Sequence, residues 1–373
     1  MKNFFVFLSM FLLMGLTSLN AQNWTLMTPP GISGKWVLTG VAFPTSENGF
    51  AVGYDYSDVD FTKAVTKGII IEYKGGSWAK SEYPQPSVNW QLNKVWFLNE
   101  NEGWAVGMNK ETKAGLLMHY KSGKWEIVDL PSPGYEKWIL YNVFFLNENE
   151  GWVAGGSFGK DGPVLFHFKD GKWSHETSKE FAKQTIMAVH AFSPSNVFAG
   201  GFREGDLSGI MQTNKAYGSF IINSATGWEK EKLPMLSGNV VCEDFAAINE
   251  KSLYAAGYMP DFQNTPRTGQ ILHYDGKKWE NIKLDDPVKE WTLSAIAFAD
   301  EATGWAVGYN WTKNKGLFLQ CKKGQWSGLD KKTEPVVSEK WILHDVVYDG
   351  KGAWYAVGGD ISADKGIIMK LPK

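Results

Sequence analysis

Five tryptophans share one local pattern and are candidates for a ligand-binding site. In each case a Leu follows two residues after the Trp, at the start of a short apolar run. These residues are Trp36, Trp90, Trp138, Trp291 and Trp341. An indole offers a large apolar face and a single N–H donor, so a ring of exposed tryptophans could stack on sugars or hold a peptide. The alternative is that each Trp packs between neighbouring repeats, as repeated aromatic residues usually do.

Three carboxylates suggest a different chemistry. Glu243, Asp244 and Asp345 lie in apolar runs of the same kind. Glycosidases use two carboxyl groups about 5–10 Å apart on either side of the scissile bond. The sequence therefore leaves open a glycoside hydrolase or lyase, provided that Asp345 can reach Glu243 or Asp244.

The other residue types exclude several kinds of site. Only two arginines occur, Arg203 and Arg267, which is too few for the arginine triad by which sialidases hold a substrate carboxylate. His119, His167 and His273 hold equivalent positions in different repeats, so we expect them to lie too far apart for one metal ion. The sequence contains no nucleophile elbow, phosphate loop or Cys–His arrangement. We therefore expect neither a metal ion nor a cofactor.

These residues are positioned by a repeat that fills the chain. A segment of the type Gly-Trp-Ala-Val-Gly recurs about every 50 residues, and short apolar runs closed by Gly are typical of strands. Its closing glycines are Gly53, Gly107, Gly155, Gly200, Gly257, Gly308 and Gly358. The candidate tryptophans begin a strand that precedes this one, and the fourth and fifth copies have Thr185 and Val240 at that position.

Two further strands follow each copy of the motif. They are separated by a hairpin turn that usually contains Gly and leads to a Trp, as in residues 117–125 and 271–279. Seven units of four strands, without helical segments between them, predict an all-β fold, a seven-bladed β-propeller of four-stranded antiparallel blades. We label the strands of each blade a to d from the axis outward, so that strand a lines the channel.

The N-terminal segment is expected to close the ring. The seventh copy ends after residues 366–371 and lacks a fourth strand, whereas residues 23–27 match the outer strand at 124–128 of the second copy. We therefore predict that Trp24 and its neighbours form strand d of the last blade. This pairing would remove the exposed edges that an open ring leaves.

The repeated Gly-Trp-Ala-Val-Gly strand, followed by a Gly-Lys-Trp hairpin, resembles the photosystem II stability/assembly-factor-like propellers, which are related to the Asp-box, sialidase-type repeat proteins. The likeness covers residues 22–373 and implies a seven-bladed propeller that acts as a binding scaffold. It does not imply a role in photosynthesis. The assembly factors are associated with an arginine patch, which two arginines cannot reproduce.

Residues 1–21 read as a secretory signal peptide, with Lys2, an apolar run from Phe4 to Leu16 and a small residue, Ala21, at the cleavage site. The apolar run is too short to span a bilayer, so we expect no membrane insertion. The remaining residues 22–373 form one propeller domain. A net charge of −2 gives no reason to expect nucleic-acid binding. The chain is expected to be a periplasmic or extracellular monomer.

The register also predicts the state of the two cysteines. Cys242 falls on strand a of blade five and Cys321 on strand c of blade six. Strands in different blades and at different radii are further apart than the roughly 7 Å that a disulfide can bridge. Both cysteines are therefore predicted to be buried free thiols.

The sequence thus predicts an exported, non-catalytic binding or scaffold propeller whose partner, a carbohydrate or a polypeptide, lies at the channel mouth. The alternative is a propeller glycoside hydrolase or lyase that uses the carboxylates of strand a.

Overall fold

Seven four-stranded antiparallel sheets make up the part of the chain that the computed structural model describes. That part comprises residues 23–29, 31–59, 64–158, 162–204, 216–224, 227–234, 240–259, 267–284, 290–329 and 334–373. The proposed signal peptide lies outside it. Within these residues no helix is both long enough and apolar enough to cross a membrane.

The strands of the first four blades follow the order a to d. Blade one contains β2 (Trp36–Thr45), β3 (Asn48–Asp55), β4 (Lys67–Lys74) and β5 (Ser77–Lys80). Blade two contains β6 (Trp90–Asn99), β7 (Glu102–Asn109), β8 (Ala114–Lys121) and β9 (Lys124–Val128). Blade three contains β10 (Trp138–Asn147), β11 (Glu150–Ser157), β12 (Pro163–Lys169) and β13 (Lys172–His175). A short 3₁₀ helix (Lys179–Phe181) precedes blade four, which contains β14 (Gln184–Ser193), β15 (Asn196–Glu204), β16 (Ala216–Ser224) and β17 (Gly227–Lys230).

The remaining blades repeat the pattern. Blade five contains β18 (Val241–Asn249), β19 (Ser252–Met259), β20 (Thr268–Tyr274) and β21 (Trp279–Asn281). Blade six contains β22 (Trp291–Asp300), β23 (Thr303–Asn310), β24 (Lys315–Lys322) and β25 (Gln325–Gly328). Blade seven contains β26 (Trp341–Tyr348), β27 (Trp354–Asp360), β28 (Lys365–Leu371) and, as its strand d, β1 (Thr25–Leu26).

Closure by the N-terminal segment is confirmed. Thr25 pairs with Lys370 and Leu26 with Met369, and the Met27 amide donates to the carbonyl of Ile368. Just before this strand, the buried Trp24 stacks on Phe318 and meets Trp305 edge to face, with ring centroids 4.7 and 5.3 Å apart. The first and last strands of the chain are thereby joined in one sheet.

The apolar core is divided among the blades. Seven clusters of buried side chains occur among the described residues, and each lies between two neighbouring blades. A blade is apolar on both faces and cannot cover either of them alone, so the ring is stabilised by these interfaces.

A β-bulge interrupts strand a at the same place in every blade. In blade one the register against strand b shifts between Leu38 and Gly40, and the other six blades shift at the matching residues. The closing glycine of strand b faces this bulge: a Cβ on Gly53 would overlap the carbonyl oxygen of Val37. The recurring glycine is therefore a requirement of close backbone approach.

One assignment from the sequence is wrong by a single residue. In blade four the glycine that faces the bulge is Gly201, where a Cβ would overlap the carbonyl of Thr185. Gly200 is its neighbour, and the strand-a residue at the tryptophan register is Gln184, paired with Arg203. Two adjacent glycines made the register ambiguous.

The cysteine prediction is confirmed. Cys242 and Cys321 are both buried and unbridged. Cys242 pairs with Gly257 and holds the position in its strand a that Leu38 holds in blade one. Cys321 lies on β24, where it pairs with Gly304 of strand b and Trp326 of strand d. The two thiols therefore belong to different blades and different radii, as the repeat spacing required.

Candidate functional site at the channel

The five candidate tryptophans are buried between blades. None is more than 6% exposed. Each indole lies over a glycine of strand c in the preceding blade, where any Cβ would overlap the ring. These glycines are Gly366, Gly68, Gly115, Gly269 and Gly316, for Trp36, Trp90, Trp138, Trp291 and Trp341 respectively. The tryptophans therefore do not form an exposed ring at the channel mouth, and the packing alternative describes their geometry.

Replacement of Trp138 tests which role these residues have. Trp138 packs over Gly115 and near Phe166, so Trp138→Ala would empty a site between blades two and three. We expect a loss of about 3–5 kcal/mol in the free energy of unfolding, as for other buried Trp→Ala changes. Urea unfolding of the variant beside the unchanged protein measures this. If Trp138→Ala unfolds at the same urea concentration as the unchanged protein, Trp138 is not needed for packing and a ligand-binding role is again supported.

The channel contains a lysine held between two aspartates. The Lys94 Nζ lies 2.9 Å from Oδ1 of Asp345 and 3.6 Å from Oδ1 of Asp244. These residues belong to blades two, seven and five, so the cluster bridges the channel. Each sits directly after the strand-a bulge of its own blade. We refer to Lys94, Asp244 and Asp345 as the channel triad.

Backbone amides hold the remaining carboxylate oxygens of the channel triad. Oδ2 of Asp345 accepts from the Val41 amide of blade one at 2.9 Å, and Oδ2 of Asp244 accepts from the Ile296 amide of blade six at 3.2 Å. Both aspartates are thus tied to the next blade in the ring. Asp244 does face Asp345 across the channel, with Lys94 between them.

Charge and burial compete within the channel triad. Burial lowers the pKa of Lys94, but the charges of Asp244 and Asp345 outweigh this effect and raise it above its usual value. Burial raises the pKa of Asp244, against the opposing charge of Lys94. The triad lines a cavity of about 320 Å³ on the side of the channel toward which the a strands run. Lys94 therefore remains a cation that compensates buried carboxylates.

A second cavity opens on the opposite face, where the a strands begin. We call this the upper face. The cavity has a volume of about 380 Å³ and lies between blades five and six. We call it the upper cavity. Its lining residues are Glu243, Tyr258, Arg267, Thr292, Leu293, Ser294 and Trp311. Glu243 is the extra residue of the strand-a bulge in blade five, and it lines the upper cavity, whereas the next residue, Asp244, lines the cavity of the channel triad.

An arginine and a tryptophan form one wall of the upper cavity. The guanidinium carbon of Arg267 lies 4.4 Å from the ring centroid of Trp311, within the range of a cation–π contact. The indole Nε1 donates to the Thr292 hydroxyl at 3.3 Å, which fixes the orientation of the ring. Trp311 is nevertheless 40% exposed. The wall thus offers a cation, hydroxyl groups and apolar area that a ligand could cover.

Glu243 and Tyr258 add an acid and a phenol to the lining of the upper cavity. Burial, helped by the charge of Asp244, raises the pKa of Glu243 to about 7. Burial and the charge of Glu243 raise the pKa of Tyr258 to about 12, although Arg267 opposes this. At neutral pH the cavity therefore contains a phenol that stays protonated and a carboxyl group that titrates.

The raised pKa of Glu243 predicts a pH-dependent stability. Between about pH 4.5 and 7 the folded chain binds more protons at Glu243 than the unfolded chain, so the free energy of unfolding falls as pH rises through this window. Glu243→Gln removes this loss. As the pH rises from 5 to 8, we expect the free energy of unfolding of the variant to increase by on the order of 2 kcal/mol relative to that of the unchanged protein.

Urea unfolding at the two pH values measures this gain. Glu126→Gln, at an exposed position on β9, is the matched control and should show no such change. If the free energies of unfolding of Glu243→Gln and the unchanged protein differ by the same amount at both pH values, the titration assigned to Glu243 is wrong.

Trp311 also belongs to a repeated position on the upper face. It directly follows strand b of blade six, and its amide donates to the carbonyl of Glu290. Phe158 and Ile361 hold the same position in blades three and seven, with the same type of hydrogen bond, and are 44% and 48% exposed. These three exposed apolar side chains thus follow strand b, whereas the sequence pattern had suggested the start of strand a.

The histidines of strand c each have a partner within their own blade. His119 and His167 hydrogen-bond Glu102 and Glu150 at 2.6 Å, and His273 meets Ser252 at 3.1 Å. In the described ranges, no group of three His, Cys, Asp or Glu side chains is arranged to hold a metal ion.

Sequence comparison finds no protein-family match for the chain and no match among curated proteins. Solved structures do match its fold. The chain superposes on YCF48 bound to D1 peptide with a TM-score of 0.61 and 16% identity, covering 95% of this chain and 98% of that one. At this level of identity the match shows a shared seven-bladed propeller fold.

Two carbohydrate-active enzymes share the same fold. A polysaccharide lyase, an ulvan lyase bound to -[GlcA(1-4)Rha3S]-, matches with a TM-score of 0.53 and 12% identity, covering 90% of this chain and 94% of that one. The GH74 xyloglucanase from Xanthomonas campestris matches with a TM-score of 0.55 and 14% identity, covering 90% of this chain and 52% of that one. Proteins of this fold therefore include both peptide binders and polysaccharide-degrading enzymes.

Proposed function

We propose that this protein is a non-catalytic binding propeller that holds its ligand in the upper cavity. The observation that carries the proposal is the wall formed by Arg267 and the partly exposed Trp311. The carboxylates of the channel, by contrast, are already held by Lys94 and by backbone amides. YCF48, with the same fold, binds a peptide, which supports a binding function for a propeller of this kind.

We also propose that the chain is exported as a monomer after cleavage near Ala21. The pattern of residues 1–21 supports this. The closing strand β1 begins only four residues after Ala21, so a chain cleaved there retains the whole ring. Intact-mass measurement of the periplasmic and extracellular fractions should find the mass of residues 22–373. Recovery of the full-length mass alone would contradict export with cleavage.

Glycan and peptide arrays test the binding function. The arrays are probed with the unchanged protein, Trp311→Ala and Phe158→Ala. Phe158 is the matched control, because it holds the same position in blade three but does not line the upper cavity. We expect signals that Trp311→Ala loses and Phe158→Ala keeps. Equal signals for the two variants would contradict binding in the upper cavity.

A second candidate is a polysaccharide lyase or glycoside hydrolase that acts at the upper cavity. It is favoured by Glu243, whose pKa of about 7 suits an acid–base group, and by Tyr258 in the same cavity. The lyase and the xyloglucanase of the same fold support this candidate. Incubation with a polysaccharide panel, followed by assays for reducing ends and unsaturated sugars, tests it. Product that Glu243→Gln fails to form would replace the binding proposal.

A further inference from the structure

We infer that the upper cavity accepts a uronic acid residue of an acidic glycan, an inference that rests on the proposed binding function. The cavity presents an indole, a guanidinium group, a phenol, a carboxyl group and the hydroxyls of Thr292 and Ser294. A uronate offers the matching chemistry: an apolar C–H face, a rim of hydroxyl groups and one carboxylate.

Arg267 is the group that selects a carboxylate. Among the residues that the structure describes, none places a carboxylate within salt-bridge distance of its guanidinium. The side chain is half-buried and lies over the Trp311 ring. A planar guanidinium pairs with a carboxylate through two parallel hydrogen bonds, and such a pair is stronger where water is partly excluded.

Trp311 supplies the apolar surface for the sugar ring. Its hydrogen bond to Thr292 and the cation–π contact to Arg267 hold the indole in place before any ligand arrives. A side chain that is already ordered loses little conformational entropy on binding. Its 40% exposure leaves area for a C–H face to cover.

The composition of the cavity favours a sugar over a peptide side chain. Leu293 is the single aliphatic residue of the lining and is itself fully buried. An apolar peptide anchor would therefore find no aliphatic pocket, whereas the hydroxyl groups of a sugar would find hydrogen-bonding partners on several sides. The volume of about 380 Å³ lies within the usual range for small-molecule sites.

Isothermal titration calorimetry with two tetrasaccharides of the same linkage tests the inference. One is a β-1,4-linked glucuronic acid tetramer and the other is cellotetraose, its neutral counterpart. At pH 6 we expect the unchanged protein to bind the acidic tetramer at least tenfold more tightly. Arg267→Gln should lose this preference, while Trp311→Ala should weaken binding of both tetramers.

Lys137→Gln provides the matched control. Lys137 lies 4.4 Å from the ring centroid of Phe158, so it is a cation beside the equivalent aromatic side chain of blade three but outside the upper cavity, and this variant should keep the preference. Raising the pH to 8.5 should reduce the preference, because Glu243, with Asp244, Tyr258 and Arg267 around it, then carries a negative charge in the cavity. Melting curves confirm that each variant is folded.

The outcomes separate this inference from the binding function. Equal affinity for the two tetramers, or a preference that Arg267→Gln keeps, overturns the uronate inference. If array peptides bind in a Trp311-dependent manner and the acidic tetramer does not, the binding function stands and the uronate inference fails. If Trp311→Ala changes no interaction at all, both fail.

Discussion

A chain expressed from residue 30 onward should melt far below a chain expressed from residue 22. The truncation removes β1 and with it the pairing of Thr25 with Lys370 and the buried ring of Trp24. Loss of a buried Trp alone costs about 3–5 kcal/mol, and the truncation also exposes the edge of β28. Because every blade depends on both neighbours, we expect the whole ring to lose stability in one transition.

Leu26→Ala and Trp24→Ala separate two contributions to this loss of stability, that of the strand edge and that of the buried indole. Leu26 lies on β1, two residues after Trp24, but is half-exposed, so its replacement should change the melting temperature little. Trp24→Ala should reproduce a large part of the loss. The measurement is differential scanning calorimetry of the four proteins, and a truncated chain that melts with the full one would refute closure by the N-terminal segment.

Lys94→Met should also destabilise the protein severely. It leaves Asp244 and Asp345 facing each other in the channel without the cation that both contact. Removal of one partner from a buried ion pair costs about 3–5 kcal/mol, because the remaining charge is left uncompensated. Urea unfolding at pH 8 measures the loss. Lys124→Met, at an exposed position on β9, is the control and should have little effect.

The loss in Lys94→Met should shrink as the pH falls. Burial already raises the pKa of Asp244, and without Lys94 the charge that opposes this rise is gone. The folded state then binds a proton at Asp244 that the unfolded state has released, so acidification neutralises this carboxylate and restores stability. Near pH 5 we expect the free energies of unfolding of Lys94→Met and the unchanged protein to differ much less than at pH 8. A variant as stable as the unchanged protein at pH 8 would show that Lys94 does not compensate the channel charges.

The architecture could be read from the sequence because each blade repeats the same requirements. Glycine recurs where strand b approaches the bulge, and Trp recurs where one blade meets the next, so spacing alone predicted seven blades and the closing role of Trp24. Only in blade four, where Gly200 and Gly201 are adjacent, was the register misassigned by one residue.

The sites were harder to predict, because they depend on features that do not repeat. Lys94 could have been found: it follows Leu92 by two residues, as Asp244 follows Cys242 and Asp345 follows Leu343. What the sequence does not show is that side chains from blades two, five and seven meet in the channel. Trp311 gave a weaker signal, since a single Trp three residues beyond Gly308 resembles any loop residue.

The five strand-a tryptophans gave a signal that either of two roles could produce. Their regular spacing suggested a binding ring, yet regularity is what packing between identical blades produces.

Array binding by Trp311→Ala and Lys94→Met, side by side, tests most directly whether the ligand lies in the upper cavity. Both variants are probed at a temperature at which their melting curves show them folded. The proposed site predicts that Trp311→Ala loses the signals of the unchanged protein and that Lys94→Met keeps them. Signals lost in Lys94→Met and kept in Trp311→Ala would place the ligand in the channel and contradict the proposed site.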